Sequence, residues 1–164
     1  TLILRTYFQG RAKKKEKANK EEVIKNLEIQ FAQNKREGEE FLTQNKSLKG
    51  VNVTDSGLQY LVLKEGKGKK PTINSTIKVR FKGSLLDGTV FQTTETSNVP
   101  YTTALNKLIV GWIEGIQLMS VGSKYKFFVP QELAYGYNSR MSGKIKPFST
   151  LIFEIELLEI VNNK

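Results

Sequence analysis

The sequence predicts an α+β chain: an antiparallel β-sheet wrapped on one short helix, preceded by a long amino-terminal helix. Three observations predict it. Apolar residues recur every four positions before residue 50 and every two positions after Gly57. Turn signals, Asp87-Gly88 above all, separate the alternating runs. No strand–helix–strand rhythm appears, which argues against a parallel sheet.

Residues 1–19 read as a flexible leader. Within it Tyr7-Phe8-Gln9-Gly10 resembles the remnant of a viral protease site used to remove expression tags. The preceding Leu4-Arg5-Thr6 does not fit such a site, so native and engineered origins both stay open. Residues 20–50 read as a helical stalk, with Asn19 as its cap and Glu21 and Glu22 in the first turn, where the helix dipole favours anions. Glu21 and Lys25 are spaced as a favourable i,i+4 pair. Val23, Leu27 and Phe31 form a narrow apolar stripe that Phe41 and Leu42 resume, and Gly38 weakens the middle by about 1 kcal/mol relative to Ala.

The strands follow from alternation. Leu58 to Leu63 is the first. Ile77, Val79 and Phe81 then alternate with Lys78, Arg80 and Lys82, giving a half-buried strand with a basic outer face. Asp87-Gly88 turns the chain between Leu85-Leu86 and Val90-Phe91. Ile109 to Met119 reads as the short apolar helix, carrying Trp112, Ile116 and Met119. Tyr125, Phe127 and Val129 alternate with Lys124, Lys126 and Phe128 until Pro130. In the last strand, Leu151 to Ile160, Phe153, Ile155 and Leu157 face in and Glu154 and Glu156 face out.

Composition excludes whole classes of chemistry. The chain has 164 residues, net charge +10, and neither Cys nor His. Thiolate nucleophiles, imidazole bases and the usual zinc ligand sets are therefore missing within it. Its apolar runs are too short for a membrane-spanning helix. Gly66-Lys67-Gly68-Lys69-Lys70 lacks phosphate-loop spacing, and no two carboxylates are placed for paired acid–base work. The positive charge is shared: residues 1–50 hold 12 basic and 7 acidic side chains, residues 51–164 hold 14 and 9.

One constellation remains. Phe81, Phe91, Tyr101, Ile109, Trp112, Tyr135 and Phe153 come from separate elements of one small sheet domain. On their residue types alone they read as core. Their motifs point further. Val79 to Phe91, the run Ile109-Val110-Gly111-Trp112-Ile113-Glu114-Gly115, the run Val129-Pro130-Gln131-Glu132-Leu133-Ala134-Tyr135-Gly136, and the closing Leu151 to Leu158 resemble, in order, an FKBP-type peptidyl-prolyl isomerase domain. The resemblance runs from about Gly57 to Ile160. Upstream, Gly38 to Lys46 and Ser56 to Tyr60 resemble the macrophage infectivity potentiator branch, in which a long helix precedes the catalytic domain.

The resemblance implies an FKBP-like isomerase domain over residues 51–164, acting on proline-containing polypeptides and assisting folding, with no cofactor and no metal. It implies catalytic roles for Phe81, Phe91, Gln92, Trp112, Tyr135 and Phe153, and substrate contacts from Tyr101, Leu108, Ile109 and Ile145. Trp112 is expected as the floor for the prolyl ring, with Phe81, Tyr101 and Phe153 as walls. The Ile109 N–H and the Tyr135 hydroxyl are expected to take substrate carbonyls, and Tyr137 to Pro147, with Ile145, to form a flap. An amide rotation needs no bond made or broken, so the missing His and Cys fit this chemistry.

Two departures qualify it. Gln92 stands where the family usually has Asp, and Phe81 where it commonly has Tyr. Weakened turnover and weakened affinity for macrolide inhibitors are the expected consequences, and a weakly active or non-catalytic chaperone that keeps the groove is the alternative. A nucleic-acid or anionic-surface binder is a third class, motivated by Lys78, Arg80 and Lys82, but basic residues on an outer sheet face more often serve solvation and edge protection. No nucleic-acid partner is expected. By resemblance the location is extracytoplasmic, with the cytoplasm left open, and the stripe suggests a monomer or weak dimer.

Overall fold

A computed structural model describes residues 2–161. Two helices come first, α1 (Leu2–Gln30) and α2 (Ala32–Asn45), followed by strands β1 (Asn52–Val53), β2 (Gln59–Lys64), β3 (Thr76–Ser84), β4 (Val90–Thr93) and β5 (Tyr101–Ala104). Helix α3 (Val110–Ile116), β6 (Lys124–Val129) and β7 (Leu151–Val161) complete the chain. The sheet has seven strands in the order β1-β2-β6-β7-β3-β4, with β5 also paired to β3, and every pairing is antiparallel. The expected fold class is the observed one.

The amino-terminal helix departs from expectation. It already runs at Leu2 and passes through the residues expected as a flexible leader, so Asn19 is an interior helical residue rather than a cap. Apart from Gly10, residues 2–19 contain no strong helix breaker, and Ala, Lys, Arg, Glu, Gln and Leu predominate among them. Glu21 meets Lys17 at 3.9 Å, one turn before it, in place of Lys25. The stalk also breaks at Phe31, which leaves helical geometry at φ −111°, ψ 23°. Its flanking hydrogen bonds, Phe31 N to Leu27 O at 2.8 Å and Lys35 N to Phe31 O at 3.1 Å, carry the chain across with almost no interruption.

The sheet separates two faces by the strand period. Inward-pointing Ile77, Val79, Phe81, Tyr125, Phe127, Val129, Leu151, Phe153, Ile155 and Leu157 pack with Trp112 and Ile116 of α3 in one core. Phe128, expected on the outer face, is buried all the same, because α2 covers it there: the Phe41 and Phe128 rings lie 5.8 Å apart. Nearby, Asn45 Nδ2 donates to Gln59 Oε1 at 2.9 Å and Gln59 Nε2 donates to the Leu42 carbonyl at 2.9 Å. The packed face of the helices runs through Ile24, Leu27, Phe31, Asn34, Gly38, Phe41, Leu42 and Asn45. Val23, expected in the stripe, is exposed.

The basic outer face is neutralised within the sheet. Lys78, Arg80 and Lys82 of β3 stand opposite Glu159, Glu156 and Glu154 of β7. Lys78 and Lys82 form ion pairs there at 3.0 and 3.5 Å. Short β5, missed in the sequence, exists because Thr76–Val79 offers it a free edge; its four residues are too few to show a period.

Candidate active site

The site is built by glycines as much as by aromatics. Gly83 of β3 sits opposite Phe153 of β7 in the ladder. A Cβ there would lie 2.6 Å from Phe91 Cζ and 2.9 Å from Phe153 Cε1, so only Gly lets these two rings meet edge to face at 5.7 Å. Gly111 and Gly115, one turn apart on α3, press against Val129 and Phe127. That close approach sinks α3 toward the sheet and sets the Trp112 ring among the strand aromatics. Trp112 makes T-shaped contacts with Phe81 at 5.0 Å and Phe153 at 5.2 Å, with interplanar angles of 84° and 88°. Each such pair adds about 0.5–1.5 kcal/mol beyond area burial, so the arrangement is rigid.

Phe81 is held by its backbone as well. Its N–H donates to Thr94 Oγ1 at 3.0 Å, and the Thr94 N–H donates to the Phe81 carbonyl at 3.0 Å. Tyr101, at the start of β5, closes the far wall with its ring 6.0 Å from Phe81. Together these residues enclose a cavity of about 540 Å³, whose lining also includes Phe91, Gln92, Lys107, Leu108, Ile109, Ala134, Tyr135, Asn138, Arg140 and Met141. That size suits a small apolar group with a few polar anchors.

Two donors stand at its rim. Ile109 is the N-cap of α3 with extended φ and ψ, and its N–H meets no backbone acceptor among the described residues. The Tyr135 hydroxyl is held in its protonated form, because burial raises its pKa above the ordinary phenol value, against a smaller lowering by the Arg140 charge. The indole N–H of Trp112 is buried and has no partner among the described residues. No group of three His, Cys, Asp or Glu side chains among the described residues converges to hold a metal.

Nine of the ten residues expected at the site therefore line this one cavity. Ile145 does not: it is 1% exposed and belongs to the core. It anchors the flap from beneath, exchanging backbone hydrogen bonds with Arg140 at 3.0 and 3.1 Å. Expected as a substrate contact within the flap, it is a buried peg here. Lys107, Ala134, Asn138, Arg140 and Met141 were not singled out. Asn138, Arg140 and Met141 fall in the expected flap, and Lys107 and Ala134 adjoin named residues, so position was the available signal.

The family comparison decides what the cavity belongs to. A model of the FKBP-type peptidyl-prolyl cis-trans isomerase matches residues 67–158. The chain belongs to the FKBP-type peptidyl-prolyl cis-trans isomerase family. A model of the domain amino-terminal to such isomerases matches residues 3–62, running through Tyr7–Gly10 and through both helices from the second residue of α1 onward. An FKBP-type isomerase, FkpA, from Aeromonas hydrophila is 47% identical over 78% of this chain and 47% of its own length. The outer membrane protein MIP of Legionella longbeachae is 45% identical over 78% of this chain and 54% of its own. This chain thus spans about half the length of these relatives, and the macrophage infectivity potentiator-like branch is supported. Among solved structures, FkpA from Escherichia coli superposes with a TM-score of 0.76 at 34% identity, covering 93% of this chain and 71% of that one. An isomerase from Pseudomonas syringae superposes at 0.74 and 31% identity, covering 80% and 96%.

Proposed function

We propose that this chain is a peptidyl-prolyl cis-trans isomerase that assists protein folding by rotating X-Pro amides in the aromatic cavity. The single observation that carries the reading is the aromatic lining of that cavity: Trp112 set nearly perpendicular to both Phe81 and Phe153. A planar amide owes its barrier of about 18–20 kcal/mol to a charge-separated resonance form. A cavity walled by hydrocarbon solvates that form poorly and the twisted, less polar amide comparatively well, so binding favours the transition state. The prolyl ring rests on Trp112. The Ile109 N–H and the Tyr135 hydroxyl hold flanking carbonyls, which keeps the peptide from turning as a whole while one bond rotates.

Gln92 and Phe81 set how well this works. Gln92 keeps donor and acceptor capacity without a charge, and Phe81 offers none. Turnover and macrolide affinity are accordingly reduced, though not abolished. A direct, protease-free isomerisation assay on a Pro peptide tests the function: an unchanged uncatalysed rate would leave only a binding module. Gln92→Asp is expected to raise kcat/KM several-fold, and a variant no faster than the parent would remove position 92 from the account.

The same reading includes an extracytoplasmic location, supported by the relative named as an outer membrane protein. It also includes a monomer or weak dimer associating through α1, whose side chains are none of them fully buried. No helix among the described residues is long and apolar enough to cross a membrane. A tight dimer at nanomolar concentration in light scattering would contradict the association state.

A further inference from the structure

We propose that the cavity selects prolyl segments carrying a carboxylate beside the proline, recognised by Arg140 and Lys107; this rests on the isomerase reading and specifies its substrate class. Every ionisable side chain of fixed charge that lines the cavity is a cation, Lys107 and Arg140, and none is an acid. Some other cations are matched locally by carboxylates, whereas the cavity gathers two cations with no acid in its lining. Among the described residues the ion pairs are Lys17–Glu21, Lys35–Glu28, Lys78–Glu159 and Lys82–Glu154. Among the described residues neither Lys107 nor Arg140 forms an ion pair with a carboxylate.

Arg140 is also positioned rather than loosely tethered. Its backbone exchanges both hydrogen bonds with Ile145, the buried peg of the flap, and the Ser139 hydroxyl donates to the same Ile145 carbonyl at 3.1 Å. Its guanidinium carbon lies 5.2 Å from the centre of the Tyr135 ring. A guanidinium held over an aromatic ring by cation–π attraction uses none of its N–H donors there, so they remain available to a carboxylate. Burial raises the pKa of the Tyr135 hydroxyl, and the nearby Arg140 charge offsets part of that rise. An acid next to the proline would thus find a cation beside the group that holds its backbone.

The expected size follows from Coulomb's law. One ion pair at about 5 Å in an effective dielectric of about 40 to 80 favours the charged peptide by about 4- to 15-fold at low salt. Salt near 0.5 M shortens the screening length to about 4 Å and reduces the preference toward unity.

The test uses matched peptides with Glu, Gln or Lys immediately before the proline, and a second set with the same residues immediately after it. Isomerisation is followed by exchange spectroscopy. The expected order in at least one set is Glu over Gln over Lys, with a Glu-to-Gln ratio in kcat/KM of about 4 to 15 at low salt. That ratio should fall in Arg140→Gln and in Lys107→Gln, reach about one in the double variant, and persist in Arg140→Lys. Glu no better than Gln in both sets, or a ratio untouched in the double variant, overturns the proposal. Trp112 is the chain's single tryptophan, so its fluorescence reports peptide binding without turnover. A chain that accelerates no peptide refutes the isomerase reading, whereas the Glu-to-Gln ratio of dissociation constants still decides the charge selection.

Discussion

Replacing Gly38 by Ala separates helix propensity from docking, because the two predict opposite signs. On propensity alone Gly38→Ala stabilises an exposed helix by about 1 kcal/mol. Gly38 is buried, however, and faces Thr150 just before β7. A Cβ there would overlap Thr150 Oγ1 and lie 3.2 Å from Thr150 Cβ. Rotating Thr150 relieves only the first contact. Thr150 has little freedom to retreat, being 4% exposed and adjoining a loop that Asn34 pins through Pro147 O at 2.6 Å and Ser149 Oγ at 3.0 Å. Overpacking of this kind costs about 1–3 kcal/mol, so the net effect is destabilisation of roughly 0–2 kcal/mol in spite of the better helix former. Urea unfolding and amide exchange across residues 32–45 read it, the second because α2 can lift off while the sheet stays folded. Thr150→Ala removes the overlapping hydroxyl, so the double variant should recover about 1 kcal/mol relative to the sum of the singles. A Gly38→Ala chain that gains about 1 kcal/mol and keeps its exchange protection, whatever stands at 150, would refute the docking argument.

Three shorter tests address other elements. Tyr135→Phe removes one donor to the substrate and should lower kcat/KM by about 2- to 12-fold, the equivalent of about 0.5–1.5 kcal/mol, with the fold intact by circular dichroism. Asn34→Ala frees the Pro147 carbonyl and should speed amide exchange in the flap, residues 137–147; unchanged exchange would mean the helix does not brace it. Burial, followed by the neighbouring Glu65 charge, pushes the Tyr125 hydroxyl up to about 12. The unfolded phenol gives up its proton near pH 10 while the folded one keeps it, so stability falls as pH rises from 10 toward 12. The loss is of the order of 2 kcal/mol, and Tyr125→Phe should flatten it in urea titrations.

Much of the sheet was legible because a half-buried strand writes its burial into a period of two. Thr76–Ser84 alternates without exception, and Leu151–Leu158 does so as well. The Asp87-Gly88 turn was equally plain: the Asp87 carboxylate accepts the Thr89 N–H at 2.8 Å, a bond that residue type alone suggests. The aromatic set read first as core and then, through its motifs, as a pocket, and it is both. Phe81, Phe91, Trp112 and Phe153 belong to the core and line the cavity. What failed lay where the sequence pattern is silent about partners: the helix that already runs at Leu2, the burial of Ile145 and the covering of Phe128.

The sequence by itself determined the longer strands, the hairpin, the short helix and the aromatic residues of the cavity, since each is a local pattern of apolar positions and turn formers. Only the tertiary structure decided that Gly83 and Gly38 are spaces reserved for Phe153 and Thr150, that Arg140 lies over the Tyr135 ring, and that among the described residues Lys78 and Lys82 form ion pairs while Arg140 and Lys107 do not. A hydrophobic period says which side of an element leaves water. It does not say what arrives to cover that side, because the covering residues come from distant parts of the chain and their identity is fixed by packing.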